Sequence, residues 1–265
     1  MLGAIIGDLV GSRFEWDNIK VKEFDFLPKS CFITDDSIMT LAVARSILES
    51  AGDLKTLGKA AVRNMQDLGR RYPEASYGGN FAFWLQQGDP RPYMSYGNGA
   101  AMRVSPCGFA AETLEEALLL ARKVTEVTHN HPEGLKGAEA TTAVIFLARK
   151  GLKLPQIREF VDKAYYPMDF TLEEIRPTYD FDESCQGTVP QAIMCLLESV
   201  SFEDALRNAI SLGGDSDTLG AITGAMAQAY YGIPKAIQKK ALGFLEPELR
   251  EIYEAFAAAY PEAGK

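Results

Sequence analysis

The sequence predicts an all-α protein folded as a single domain. Apolar residues recur at helical spacing along most of the chain, whereas β-branched runs with strict alternation do not recur. No internal repeat or low-complexity linker divides the 265 residues, a length ample for one hydrophobic core. At 47% hydrophobic and 24% charged residues, the composition is that of an ordinary globular protein.

The elements follow in order. Residues 1–13 place Leu2, Ile5, Ile6, Leu9 and Val10 at helical spacing, with Gly3, Ala4, Gly7 and Gly11 small enough for close packing. Asp8 in such a helix is either a paired core acid or a functional one. A polar loop follows Arg13-Phe14-Glu15-Trp16. Residues 34–50 read as a helix capped by Thr34, with acids in its first turn. Residues 53–72 carry Leu54, Leu57, Ala61, Met65 and Leu68 on one face. The stretch from Pro73 to Pro106 is rich in Gly, Pro, Tyr and Asn and is expected to be irregular apart from a short FAFWLQQG helix. A long irregular segment in a compact domain is often functional. Helices are expected at 113–127 and from Pro132 to about Lys150, interrupted by THNHPEG, with Pro132 well placed to open the second. Residues 151–185 are mixed. The remaining helices are expected at 188–200, 202–212, 218–231, 234–243 and 247–259. Gly220, Ala221, Gly224, Ala225 and Ala227 suggest close helix crossings.

The net charge of −9 argues against a generic nucleic-acid surface, whose footprint is basic. Cys31, Cys107, Cys185 and Cys195 form no C-x-x-C pair and no zinc spacing, which points to a reducing compartment. The apolar N-terminus lacks a basic leader and is interrupted by Asp8, so it is a poor signal peptide; no run is long enough to span a membrane. A cytoplasmic protein is expected.

The sequence is organised around Gly213-Gly214-Asp215-Ser216-Asp217-Thr218. Two glycines permit a tight turn, and two carboxylates then stand at the mouth of an apolar helix. Such acids either cap the helix, since anions suit that end of the dipole, or bind a hard metal ion through oxygen. Asp35-Asp36 repeat the arrangement at a second helix start. Several carboxylates gathered there repel unless a divalent cation, or two of them, neutralises them, and paired metals are a known hydrolytic device. A DD motif in an all-α protein also fits the isoprenoid synthases, but the expected third acid is absent because Met39 stands there. In Ser95-Tyr96-Gly97-Asn98-Gly99, alternate glycines expose N–H groups able to cradle a phosphate or a ribose, although a tight surface turn reads the same way. Arg103 fits a phosphate or a nearby Glu. His129 and His131, the only histidines, lack a third nitrogen or sulfur ligand nearby, which favours a structural role or one imidazole against a ligand.

Taken together, GAIIGDLVGSRFEW, TDDSIMT, SYGNGAAMRVSP, THNHPEG, VPQAIMCLL and GGDSDTLGAITGAMAQAYYG stand in the order of the ADP-ribosylglycohydrolases. The chain resembles that family from Met1 to about Gly232. The resemblance implies an orthogonal helical bundle with a binuclear Mg²⁺ or Mn²⁺ centre in a central cleft, over a domain spanning 1–265. It implies that Thr34, Asp35 and Asp36 form one ligand group and Asp215, Asp217 and Thr218 the other. Glu15 matches an acid on a mobile loop that closes over the metals, and Glu15 or Asp35 is the expected acid or base. Ser95, Tyr96, Gly97, Asn98 and Gly99 match the loop that holds the pyrophosphate and distal ribose, and His131 falls in a substrate-lining segment. The stretch from Tyr165 to Gln186 departs from the family patterns. The implied activity is hydrolysis of the glycosidic bond between ADP-ribose and an acceptor, whose identity stays open among arginine, serine, O-acetyl-ADP-ribose, guanidine and a nucleic-acid end. A monomer is expected. The rival reading is a catalytically silent ADP-ribose-binding or structural protein on the same fold, which usually goes with lost acids; here every matching ligand position is occupied.

Overall fold

The computed structural model describes residues 1–261, so the last four positions of the expected domain lie outside the described residues. The described residues form helices and loops with no strand; the one β-bridge, antiparallel, joins Gly97 to Ser184. The apolar faces of the helices meet in one buried cluster.

At its centre lie α1 (Leu2–Gly11), buried along its whole length, and α13 (Ser216–Tyr231). The two pack almost backbone to backbone. A Cβ on Gly3 would meet the Gly224 carbonyl oxygen at 2.1 Å, one on Gly7 the Gly220 oxygen at 1.9 Å, and one on Gly11 the Asp217 Cα at 2.4 Å. Rising along α1, the contacts descend along α13, so the helices run antiparallel. The glycine spacing of four on both helices therefore places the end of α1, which leads into Glu15, beside the start of α13, which carries the acids.

The remaining helices build around this pair. Their ranges are α2 (Asp35–Ser50), α3 (Leu54–Arg71), α4 (Gly79–Gln86), α5 (Gly99–Met102), α6 (Ser105–Ala110), α7 (Leu114–Thr125), α8 (Pro132–Arg149), α9 (Leu154–Ala164), α10 (Leu172–Ile175), α11 (Cys185–Leu197), α12 (Phe202–Leu212), α14 (Lys235–Ala241) and α15 (Pro247–Ala259). Their starts follow ordinary capping chemistry: the side chains of Asp53, Thr113 and Ser201 accept from backbone N–H groups of the first turns of α3, α7 and α12.

The structure corrects three expectations. The mixed stretch 151–185 contains α9 and α10. The four-residue α10 is closed by a capping box in which Thr171 and Glu174 each bond the other's backbone. The stretch 73–106 contains α5 and the start of α6 besides the expected short helix. The helix expected from 188 begins at Cys185 instead, because Ser184 caps it through Gly187 N–H at 3.1 Å; Pro190 therefore lies inside the helix rather than at its start. All four cysteines are buried and free. No described helix is long and apolar enough to cross a membrane.

Candidate functional site

Asp8 organises the start of α2 from outside that helix. Its carboxylate accepts from Thr34 N at 3.0 Å, Thr34 Oγ1 at 2.8 Å and Ser37 N at 3.1 Å, and also from the Ser37 hydroxyl. The orphan N–H groups of a helix start are thus satisfied by an acid on a neighbouring helix. Burial pushes Asp8 up to about 6, against the lowering effect of these bonds. Thr34 is fully buried behind the first turn, and its hydroxyl donates to Asp8, which leaves its oxygen free to accept or to ligate. Asp35 and Asp36 follow it, and both line a cavity of about 830 Å³.

The second acid pair arrives from α13. Gly213 and Gly214 both have φ +71°, a left-handed conformation that the turn requires. Asn18 locks the turn: its Nδ2 donates to Gly214 O at 3.0 Å and its Oδ1 accepts from Gly214 N at 2.5 Å. Asp215 occupies the cap position, yet its side chain makes no capping bond. Its Oδ2 instead accepts from Asn98 Nδ2 at 2.7 Å. Thr218 Oγ1 donates to Asp36 Oδ2 at 3.1 Å. The two acid pairs therefore meet in space, and Glu15, Asp35, Asp36, Asp215, Asp217 and Thr218 share the cavity wall.

These acids are crowded. Burial raises Asp35, Asp36 and Asp217 well above the carboxylate range. Asp8 and Asp215 add to the rise at Asp35, Asp8 and Asp35 at Asp36, and Asp215 and Asp36 at Asp217. Glu15, half-buried, is raised to about 7, first by burial and then by Asp215. Asp36 Oδ1 is buried with no hydrogen-bond partner. Among the described residues, no three His, Cys, Asp or Glu side chains already surround one point as ligands to a metal ion would. The donor set nevertheless suits a hard cation: it is all oxygen, it has excess negative charge, and one buried carboxylate oxygen lacks any other partner.

The opposite wall is the SYGNG segment, pinned by the chain just before α11. Asn98 N–H donates to Glu183 O at 2.7 Å and Cys185 N–H to Tyr96 O at 2.9 Å. The backbone donor of Asn98 is thus already used, and its side chain is what reaches Asp215. Ser95, Tyr96, Gly97, Asn98 and Gly99 all line the cavity. His131 does not; its Nδ1 accepts from Glu133 N at 3.1 Å and caps α8, because Pro132 fixes it at the residue before the helix. The imidazole in the wall is that of His129, behind Gly97 and Gly99.

Further residues of the wall were not singled out as site residues from the sequence. Phe181, Asp182, Glu183 and Ser184 come from the stretch that departs from the family pattern. Trp16 stacks on Phe181 across the mouth, with ring centroids 5.5 Å apart and planes 18° apart. Tyr77 lies in the wall with its hydroxyl buried and unpartnered. The exposed aromatic at position 16, next to an acid in a polar loop, was the available signal for one of them.

A family model described as ADP-ribosylglycohydrolase matches residues 1–264. ADP-ribosylhydrolase ARH3 of Homo sapiens is 24% identical, over 94% of this chain and 90% of its own. ADP-ribosylarginine hydrolase Tri1 of Pseudomonas putida (strain GB-1) is 26% identical, over 91% and 73%. A solved structure described as an ADP-ribosylglycohydrolase-related protein complex matches with a TM-score of 0.70 at 26% identity, covering 98% of this chain and 97% of that one. With the family model spanning nearly every residue and the fold shared end to end, the chain belongs to the ADP-ribosylglycohydrolase family.

Proposed function

We propose that this protein is a divalent-cation-dependent hydrolase that cleaves the glycosidic bond between ADP-ribose and an acceptor. One observation carries the reading: the Asp35-Asp36 and Asp215/Asp217 pairs, joined by Thr218, face the SYGNG segment across a single cavity. Thr34, Asp35, Asp36, Asp215, Asp217 and Thr218 are the residues that would hold two cations, Mg²⁺ or Mn²⁺. When bound, such cations supply the positive charge that these carboxylates lack, together with Lewis acidity toward oxygen.

The chain's own groups account for the rest. Ser95, Tyr96, Gly97, Asn98 and Gly99 bind and orient the diphosphate and the distal ribose. Asn98 also holds Asp215 in place through its amide. In the reaction the bond from C1″ to the acceptor breaks. The acceptor leaves with the bonding electrons and takes up a proton, and the oxygen of a water forms the new bond to C1″. The transition state resembles an oxocarbenium ion, so the carboxylates of Asp35 and Asp215 stabilise its charge. Glu15, on the loop after α1 and raised to about 7 by burial and by Asp215, is suited to hold or move the proton near neutral pH.

The test is a panel of ADP-ribosylated substrates scored for released ADP-ribose with Mg²⁺, with Mn²⁺ and with chelator. Release that depends on cation and is lost in Asp217→Ala, with helical content retained, supports the reading. Full activity under chelator overturns the cation requirement. A melting temperature raised by ADP-ribose with no hydrolysis of any substrate would mark the chain as a binding module instead.

A further inference from the structure

Arg103 is a buried charge whose surroundings do not compensate it in the usual way. It is only 1% exposed, yet no carboxylate of the described residues lies within ion-pair distance of it, and its Nε has no partner among them. It lies just after α5, lines the cavity, and has the Phe81 ring 5.6 Å from its guanidinium carbon. Buried arginines are ordinarily compensated by an acid. This one spends its Nη2 on two neutral groups, Thr128 Oγ1 at 2.6 Å and His129 Nδ1 at 3.4 Å.

The chemistry of these partners fixes a proton. A guanidinium only donates, so Thr128 Oγ1 accepts from Arg103 and keeps one hydroxyl hydrogen. That hydrogen has two possible acceptors, Thr125 O at 3.5 Å and His129 Nδ1 at 2.7 Å, and the shorter contact is much the better bond. His129 Nδ1 thus faces two donors and must present its lone pair. The ring is then neutral with its hydrogen on Nε2; burial, and after it the Arg103 charge, also disfavour the imidazolium. Nε2 lies 3.3 Å and 3.7 Å from where a Cβ on Gly99 and on Gly97 would stand, directly behind the phosphate-cradle segment.

We propose that Arg103 and Thr128 are positioning residues that lock His129 as its Nε2–H tautomer, making that N–H a fixed donor to the diphosphate of the substrate. The diphosphate part rests on the functional reading above; the tautomer lock does not. The arrangement gives the cradle a side-chain donor that stays uncharged, and leaves the buried guanidinium to add long-range attraction for an anion.

With two histidines in the chain, ¹⁵N-imidazole NMR assigns each ring directly, His131 being identified by His131→Gln. The wild type is expected to show His129 Nδ1 unprotonated and Nε2 protonated. Thr128→Val, close to isosteric, should shift His129 toward a tautomer mixture and weaken ADP-ribose binding, titrated calorimetrically in Mg²⁺, about tenfold. Thr128→Ser should restore both. A proton on Nδ1 in the wild type overturns the proposal, as does a Thr128→Val protein with the wild-type tautomer. A shifted tautomer with unchanged affinity overturns the role in diphosphate binding. A wild type that binds no ADP-ribose overturns the functional reading, and the tautomer measurement then decides the lock by itself.

Discussion

Thr218 Oγ1 donates to Asp36 Oδ2 at 3.1 Å, across 182 residues of sequence. Through this bond the N-termini of α2 and α13 meet, and with them the positive ends of two helix dipoles. Those dipoles favour nearby anions, typically by about 0.3–1 kcal/mol each. That is small beside the repulsion among Asp8, Asp35, Asp36, Asp215 and Asp217, and burial keeps the raised carboxyls inclined to stay protonated. The apo site is thus under electrostatic stress that a cation relieves.

Asp36→Asn should expose that stress. The substitution removes an acid whose ionisation in this crowded site is costly, while keeping an oxygen for Thr218. In chelator the variant is expected to melt above the wild type, with a gain on the order of 1 kcal/mol. The rise in melting temperature that Mg²⁺ or Mn²⁺ gives the wild type should shrink or vanish in the variant, and activity with it. Calorimetry of both proteins, with and without cation, checks this. A variant less stable than the wild type in chelator would mean that Asp36 is a structural acid rather than a strained one.

The pH dependence follows with a definite sign. Asp8 moves from 3.8 to about 6 and Glu15 from 4.5 to about 7, so the folded state holds these protons more tightly than the unfolded chain. Their stabilisation is full below about pH 4 and is lost as pH rises toward 7. In chelator, the melting temperature should therefore fall between pH 5 and 8. With Mn²⁺ present the trend should reverse, because cation binding requires the deprotonated acids. A melting temperature that climbs through this window in chelator contradicts the crowding.

Much of this architecture was legible in the sequence because it rests on local rules. The period of the apolar residues marks α2, α3, α7, α8, α12 and α15 to within two residues at each end. The glycines of α1 and α13 mark a close crossing, although only the structure pairs Gly7 with Gly220. What remained hidden depends on distant contacts. Asp8 was visible as an acid in an apolar helix, but its role as an external cap for α2 comes from packing. The resemblance gave the substrate-lining place to His131 and left His129 a capping or structural role; the fold reverses them, because Pro132 commits His131 to capping α8 while His129 is set behind the glycines. The wall residues 181–184 follow no period, and they reach the site by pairing with SYGNG rather than by any local propensity.

Gly7→Ala tests the α1–α13 crossing. The added methyl would overlap the Gly220 carbonyl oxygen at 1.9 Å, and neither buried helix has room to retreat. A loss of about 3 kcal/mol or more, or an insoluble product, is expected. Gly58→Ala is the control. It lies in α3, and its nearest neighbour would be 3.8 Å away, so the protein should gain about 0.5–1 kcal/mol from helix propensity. Denaturant titration of both variants makes the comparison; equal effects would remove the crossing as the structural constraint.

Trp16 lies at the point where stability and turnover can be separated. It is 81% exposed, so its ring contributes little to the core, yet it stacks on Phe181 and its side chain stands beside Glu15, where it works against the rise in that carboxyl's pKa. The ring thus ties the Glu15 loop to the opposite wall of the cavity. Trp16→Ala cuts both ties while leaving every buried contact of α1 in place. Its melting temperature should stay near that of the wild type, while kcat falls about tenfold because Glu15 is no longer held over the other acids. Trp16→Phe keeps a ring for Phe181 but loses the indole N–H, so its rate separates the two ties. A rate near the wild type assigns the positioning to the stack; a rate near that of Trp16→Ala assigns it to the indole N–H beside Glu15. An unchanged kcat in Trp16→Ala would show that Glu15 keeps its place without the aromatic clasp.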